Sequence, residues 1–234
     1  MWSTSRLLII CMWNRLWLPC ERIWSCPWRP VTSEMTLKPY ETLVDPNLVQ
    51  ETLMANAAMR HLVSGQPMPQ LSRELATFGQ FVGSWDLTLM STAPDGNRTE
   101  LIAEWHFGWA LHGRAVQDVL LTRTPDGDLV GYGTTVRTYD DRDGKWWIVW
   151  QDPIAHEFAV LTARPVEDRI ELEGQFPQAP DRKFRWVFSD IKPSSFHWEA
   201  LLSGDAGATW QVVEIIEASR RSAARSAPAS PSRA

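Results

Sequence analysis

From Phe81 to Ala218 the chain alternates between short runs rich in Val, Ile, Thr, Phe and Trp and clusters of turn-forming residues. Runs of this length with period-two alternation are strands. The spacing predicts ten of them, near residues 84–92, 98–111, 114–123, 129–139, 145–152, 156–164, 169–176, 182–190, 195–202 and 209–218. Pro94-Asp95-Gly96, His112-Gly113, Pro125-Asp126-Gly127, Arg142-Asp143-Gly144 and Gly204-Asp205-Ala206-Gly207 separate them. Strands joined by such tight connections pair as antiparallel hairpins, and many hairpins in series close into an up-and-down barrel. No helical segment between strands is long enough for a parallel crossover. The expected fold class is therefore all-β, an antiparallel up-and-down barrel of about ten strands.

The turns also select an inner face. Three connections share an x-Asp-Gly triplet, which suits a three-residue loop with Gly in the left-handed region. That geometry sets Trp85 opposite Trp105, Leu87 opposite Ala103 and Leu89 opposite Leu101. A two-residue His112-Gly113 turn sets Phe107 opposite Asp118 and Trp109 opposite Val116. The next loops set Asp118 opposite Thr134, Leu120 opposite Tyr132, Val136 opposite Trp150 and Thr138 opposite Ile148. One face then collects Trp85, Leu87, Leu89, Leu101, Trp105, Phe107, Trp109, Asp118, Leu120, Tyr132, Thr134, Ile148 and Trp150. The other collects Glu100, Glu104, His106, Gln117 and Arg137. The first face is the inner one, and a one-residue slip would invert any strand of it.

Ahead of the strands, Asp45 is an N-cap candidate with Pro46 at the first helical position. Leu48, Thr52, Ala55, Met59 and Leu62 recur at helical spacing, and Gly65 and Pro67 end the pattern. Residues 35–80 thus read as a short helical extension and linker, residues 81–218 as the barrel. The Ser/Ala/Pro/Arg-rich tail 219–234 has the composition of a disordered segment. Residues 1–34 hold five of the fourteen Trp and all three Cys, and lack periodicity. The apolar run Leu7–Trp13 is too short to span a bilayer, and no small-residue cleavage site follows it. With a second Met at 35, the expectation is that translation begins there; a degenerate export signal is the alternative.

Composition narrows the function classes. Apolar residues make up 44% and charged residues 22% of 234, a folded composition. Four Arg stand against two Glu in residues 1–34, and residues 220–234 carry four Arg and no acid, so the body is more acidic than the net charge of −5 suggests. Such a body repels a phosphate backbone and anionic lipid, so neither nucleic acid nor membrane is an expected partner. A body without Cys excludes a disulfide framework, a Cys-ligated metal and a Cys nucleophile within the fold, and fits a reducing, cytoplasmic setting.

Gly83-Ser84-Trp85 opens the first strand after a short helix-like lead-in. A Gly-x-Trp at that place resembles the lipocalin signature, whose Trp closes the base of the barrel. The stretch Trp105-His106-Phe107-Gly108-Trp109-Ala110-Leu111-His112-Gly113-Arg114-Ala115-Val116-Gln117-Asp118 resembles bacterial lipocalin-like proteins of unknown function, as does the Ser203–Trp210 turn. Over about residues 80–220 the resemblance implies a lipocalin-like (calycin) barrel with an interior pocket. It also implies a late basic residue packed on the signature Trp, either Arg220 or Arg185. It implies no activity, because fold does not fix function.

Asp118 carries the most chemical information. On the inner face it is a carboxylate among Trp, Phe and Leu, so it must be paired, hydrogen-bonded or protonated. It either orients a ligand, acts as an acid or base, or forms a structural pair with Arg114 or a hydrogen bond to Thr134 or Tyr132. His106, His112, His156 and His197 form no His-x-His or His-x-x-x-His pair, so no metal, haem or other cofactor is expected. The Asp140-Asp141-Arg142-Asp143 cluster lacks calcium-loop spacing and reads as a solvated hairpin tip. Gly131-Tyr132-Gly133, mid-strand, relieves packing or marks a bulge.

The first functional expectation is a soluble barrel that binds a small hydrophobic or aromatic molecule. Trp105, Phe107, Trp109, Tyr132, Thr134 and Trp150 would line it, with Arg114 and Asp118 orienting a polar group. The alternatives are a cofactor-independent isomerase or cyclase with Asp118 as the catalytic acid or base, and a partner-binding barrel filled by its own side chains. Exposed edges of an imperfectly closed barrel would support a homodimer.

Overall fold

The computed structural model describes residues 56–93, 95–154, 157–176 and 179–222, without the side chains of 175, 176 and 179–181. The expectations for residues 1–34, the Asp45 cap, His156 and the tail beyond 222 lie outside the described residues. The elements are α1 (Ala57–Leu62), β1 (Val63–Ser64), a 3-10 turn (Pro69–Leu71), α2 (Ser72–Gly79), β2 (Gly83–Thr92), β3 (Arg98–Ala110), β4 (Ala115–Arg123), β5 (Leu129–Asp140), β6 (Lys145–Asp152), β7 (Glu157–Val166), β8 (Arg169–Phe176), β9 (Ala179–Lys192), β10 (Ser195–Ser203) and β11 (Gln211–Arg220). All ten strands expected from the sequence are present. Each of β2–β11 pairs antiparallel with its sequence neighbour, and β11 pairs with β2, closing a ten-stranded up-and-down barrel. Closure removes the long free edges that a sheet of this size would otherwise expose.

Where the helical pattern of the extension ends, the chain does something its spacing does not announce. The Asn56 side chain caps α1 by accepting from the Ala58 N–H. Val63 and Ser64 then turn extended and pair with Ala110 and Trp109, just beyond the point where β2 stops covering β3. This two-residue strand satisfies backbone groups at the end of β3 that would otherwise be orphaned.

The base of the barrel is closed from inside by α2. Phe78 and Phe81, both fully buried, meet Trp146, Phe188, Phe196 and Phe107 at ring-centroid distances of 4.8, 4.8, 5.0 and 5.7 Å. Burying each such side chain stabilises the fold by about 1.5–3 kcal/mol. Trp85 sits among these rings and donates its indole N–H to the Phe81 carbonyl at 2.7 Å. Arg220, at the end of β11, lays its guanidinium 4.1 Å from the Trp85 ring centroid. It donates to the carbonyls of Pro193, Gln80 and Val82 at 2.6, 2.7 and 2.8 Å. Gly83 makes room for it, since a Cβ there would stand 2.7 Å from Arg220 Nη1, and its φ of +128° favours Gly in any case. Arg185 instead stacks on Trp210 at 4.2 Å. Arg220 is thus the basic partner of the signature Trp, and the barrel is lipocalin-like in form.

The strand registers agree with the expected ones through β4 and then depart. Trp85↔Trp105, Leu87↔Ala103, Leu89↔Leu101, Phe107↔Asp118 and Trp109↔Val116 all occur. His112 and Gly113 have φ of 57° and 75°, as the tight hairpin turn requires. The loop after β4 also closes as expected, with the Thr124 N–H donating to the Asp128 carbonyl. A bulge between Thr122 and Arg123 then admits one extra residue on β5. Asp118 consequently faces Thr135, and Leu120 faces Gly133. The next loop has four residues instead of three, with Asp140 paired to Lys145, so Trp150 faces Thr135 and Ile148 faces Arg137. The two one-residue slips cancel at β6. Only β5 is inverted: Gly133, Thr135 and Arg137 point inward, while Tyr132 and Thr134 face outward.

Candidate functional site

The inverted β5 changes the surroundings of Asp118. Its Oδ2 accepts a short hydrogen bond from Arg137 Nη1 and its Oδ1 accepts from the Thr135 N–H at 3.0 Å. Both side chains of this ion pair are fully buried. The Arg137 guanidinium lies between the Phe78 and Phe107 rings, 5.2 and 5.3 Å from their centroids. Arg114, the expected partner, is exposed in the turn at the base. Thr134 hydrogen-bonds residue 118 from outside, through its backbone carbonyl at 2.6 Å. Asp118 therefore sits in the structural arrangement, with a partner the sequence reading had placed on the opposite face.

The other residues expected to line a pocket separate into two groups. Phe107 belongs to the packed base. Trp109 packs there too, against α2: a Cβ on Gly79 would stand 2.5 Å from its ring. Trp105 and Trp150 lie farther toward the mouth, the end formed by the β2–β3, β4–β5, β6–β7 and β10–β11 connections. Two tryptophans that the sequence reading did not place, Trp186 on β9 and Trp198 on β10, stand between them. Ring centroids step from Trp105 to Trp198 at 6.2 Å, to Trp186 at 5.8 Å and to Trp150 at 6.1 Å. The result is a continuous aromatic lane from the phenylalanine cluster to the mouth.

Small residues make the lane fit. The Trp150 ring lies over β5 at Gly133, where a Cβ would stand 2.0 Å from Trp150 Cη2. Gly174 does the same for Phe184, at 2.5 Å. The Gly131-Tyr132-Gly133 stretch thus relieves packing beside a bulge, in agreement with its mid-strand position.

The lane carries unusual polar chemistry. The indole N–H groups of Trp105, Trp186 and Trp198 are buried and have no hydrogen-bond partner. A buried unsatisfied donor costs about 1–3 kcal/mol, and native folds rarely retain one without cause. Trp150 differs, donating to Glu157 Oε2 at 3.2 Å. Glu157 begins β7 on the inner face, directly opposite Asp152. Burial pushes its carboxyl up to about 8; the Trp150 hydrogen bond opposes this, and the Glu214 and Asp152 carboxylates add to it. Asp152 also accepts from the backbone N–H groups of Ile154 and Tyr132, at 2.8 and 3.2 Å. Glu214 lies on the inner face in step with Ile216 and Ala218, opposite Ala200 and Ser91, and a bulge between Ala200 and Leu201 follows just beyond it.

Trp186, Trp198, Glu157, Asp152 and Glu214 were missed because register was propagated only as far as Trp150 on β6. The alternations Phe184-x-Trp186-x-Phe188 and Phe196-x-Trp198-x-Ala200 mark the inner face of β9 and β10 in the sequence alone. Glu157 breaks the alternation that continues as Ala159-x-Leu161-x-Ala163, which is itself a signal. His106 is on the outer face as expected, bonded to Ser84 Oγ at 2.9 Å. The Asp140–Asp143 tip is an exposed hairpin end, with Asp140 accepting from the Arg142 N–H and Nε. Among the described residues no cluster of three or more His, Asp or Glu has metal-binding geometry. No described helix is long and apolar enough to cross a membrane.

No family model and no curated protein matches the chain. Among solved structures it is similar to Rv2717c from M. tuberculosis, at 19% identity and TM-score 0.49, over 67% of this chain and 100% of that one. It is also similar to the S-type phycobiliprotein lyase CPES from Guillardia theta, at 11% identity and TM-score 0.46, over 62% and 90%. A redesigned β-barrel, mFAP1, solved bound to DFHBI, aligns at 14% identity and TM-score 0.33, over 62% and 98%.

Proposed function

We propose that the chain binds a small, flat, largely apolar molecule in the mouth half of its barrel, against the lane of Trp105, Trp198, Trp186 and Trp150. The unpartnered indole donors carry this reading. A barrel filled only by its own side chains gains nothing from three orphaned N–H groups, whereas a ligand bearing an acceptor relieves them. Exposure follows the same division. Trp85, Phe78, Phe81 and Phe188 at the base are at most 1% exposed, while Leu120, Ala159 and Glu157 on the inner face nearer the mouth are only half-buried. The filled-barrel alternative describes the base and not the mouth. The engagement of Asp118 by Arg137 speaks against the reading in which that residue is a catalytic acid or base.

Native mass spectrometry of the full chain, purified from its own host, tests the proposal. A stoichiometric adduct that is released on denaturation and identified as a small apolar molecule is the expected result. An empty protein whose tryptophan emission is also indifferent to added naphthalene compounds would overturn it.

A further inference from the structure

We infer that the ligand is a flat polycyclic molecule of the ketone or quinone class, whose ring system carries at least two acceptor atoms that receive the indole N–H groups of Trp105, Trp198 and Trp186. The inference rests on the binding reading above and adds the polar chemistry of the occupant.

Three observations converge on it. First, the unsatisfied groups on the lane are of one kind. An indole N–H donates and cannot accept, and those of Trp105, Trp186 and Trp198 are buried without a partner. Among the described residues, the other side-chain atoms in that condition are three guanidinium nitrogens, of Arg137 and Arg185, and Thr135 Oγ. Only the Thr135 hydroxyl is able to accept, so the unmet demand inside the barrel is for acceptors. Second, the donors are spread. The ring centroids of Trp105 and Trp198 stand 6.2 Å apart with their planes at 90°, and those of Trp198 and Trp186 stand 5.8 Å apart at 55°. A carbonyl oxygen has two lone pairs, so three donors require at least two acceptor atoms. Planes that turn along the lane set those acceptors on different edges of the ligand. Third, the lane opens in one direction. Trp105, Trp198, Trp186 and Trp150 are 4, 5, 8 and 9% exposed, rising toward the mouth. A flat body entering there passes over indole rings before it reaches the innermost donor, and ring-on-ring contact favours an aromatic body over a chain.

Other occupants of the same shape leave the donors as they are. A flat hydrocarbon fills the lane but keeps the whole desolvation cost of each N–H. A ring whose polar groups only donate does no better. A ketone exchanges its hydrogen bonds to water for bonds to N–H groups that have none, so its own desolvation is matched.

The test uses the full chain and three probes of one shape, fluorene, carbazole and fluorenone, which carry no polar group, a donor and an acceptor. Anthracene and anthraquinone extend the series to two acceptors. Binding is followed by tryptophan quenching and calorimetry. Fluorenone is expected to bind about tenfold more tightly than fluorene, with carbazole no tighter than fluorene and a larger ratio between anthraquinone and anthracene. Trp105→Phe, Trp186→Phe and Trp198→Phe, made singly, keep a ring and remove one donor, and should narrow the ratio of anthraquinone to anthracene affinity. In a nitrogen–proton correlation spectrum of the labelled parent chain, three indole resonances should move downfield with anthraquinone and not with anthracene; this readout stands even where a variant fails to fold. Fluorene that binds as well as fluorenone, a ratio unchanged in all three variants, or indole resonances already at hydrogen-bonded positions in the ligand-free protein overturns the inference and leaves the binding reading intact. If none of the probes binds, the host-derived ligand decides: a flat molecule with two or more acceptor atoms supports the inference, and any other molecule overturns it. An empty barrel that binds no probe overturns both readings together.

Discussion

Arg137 and Asp118 form a hydrogen-bonded ion pair with both side chains withdrawn from solvent, directly above the helix that closes the barrel. The Arg137 Nε and Nη2 atoms have no further partner, so its charge is balanced by Asp118 and by the faces of Phe78 and Phe107. Removing one member of such a pair leaves a buried charge unmatched and costs about 3–5 kcal/mol. Asp118→Asn should therefore lower stability by that amount in a urea titration. The joint change Asp118→Leu with Arg137→Met should recover most of it, since replacing both charges avoids the orphan. A double variant no more stable than Asp118→Asn would contradict this account.

The two candidate partners of Trp85 make a sharper comparison. Arg220 holds three backbone carbonyls and covers the Trp85 ring, whereas Arg185 makes a half-exposed pair with Glu173 at 2.8 Å. Arg220→Met should cost about 2–4 kcal/mol, because charge-assisted bonds to otherwise unmatched carbonyls are lost. Arg185→Met should cost less than about 1 kcal/mol, as partly exposed pairs do. Equal denaturation midpoints for the two variants would show that the base is held by something else.

Gly133 and Trp150 should behave as one unit. Gly133→Ala places a methyl group where the indole now lies, so the ring must leave its place at a cost of about 1–3 kcal/mol. Combining it with Trp150→Ala should cost clearly less than the sum of the two single changes. Near-ultraviolet circular dichroism follows the ring directly, and additive losses with an unchanged spectrum would refute the contact.

Much of this barrel was legible in the chain because its turns are chemically explicit. Gly96, Gly127 and Gly144 all have positive φ, as the x-Asp-Gly triplets require, although the last of these loops holds four residues instead of three. Gly-x-Trp located the base, though sequence could not choose between Arg220 and Arg185, since stacking depends on where β11 ends in space. The site was harder to read. A bulge at Thr122/Arg123 has no residue signature of its own, yet it turns over every side chain of β5 and exchanges Thr134 for Thr135 beside Asp118. Arg137, a charged residue on a strand, fits the outer face on every local rule. Only the pairing of distant strands shows that it is the most deeply buried cation of the described chain. Trp186, Trp198 and Glu214 all sit in period-two alternation with inward neighbours, Phe188, Ala200 and Ile216, but placing them needs the register carried past β6 around the whole barrel.

Glu157 gives the fold a pH dependence of unusual sign. Most carboxyls in folded proteins are stabilised as anions, and their contribution is lost on acidification. Here burial beside Trp150, with Glu214 and Asp152 near, raises the carboxyl from the ordinary 4.5 to about 8. Between those values the folded chain retains a proton that the unfolded chain has released, so stability falls as pH rises through that window and levels off above it. Replacing Glu157 with Gln removes the ionisation while keeping an acceptor for the Trp150 N–H. The variant should match the parent near pH 4, where both are neutral at this position. At pH 9 it should be more stable by about 2–4 kcal/mol, since each tenfold change in proton affinity corresponds to about 1.4 kcal/mol. Urea midpoints at the two pH values measure this directly. A parent and variant that lose stability in parallel would place the ionised Glu157 side chain in solvent and remove it from the inner face of β7.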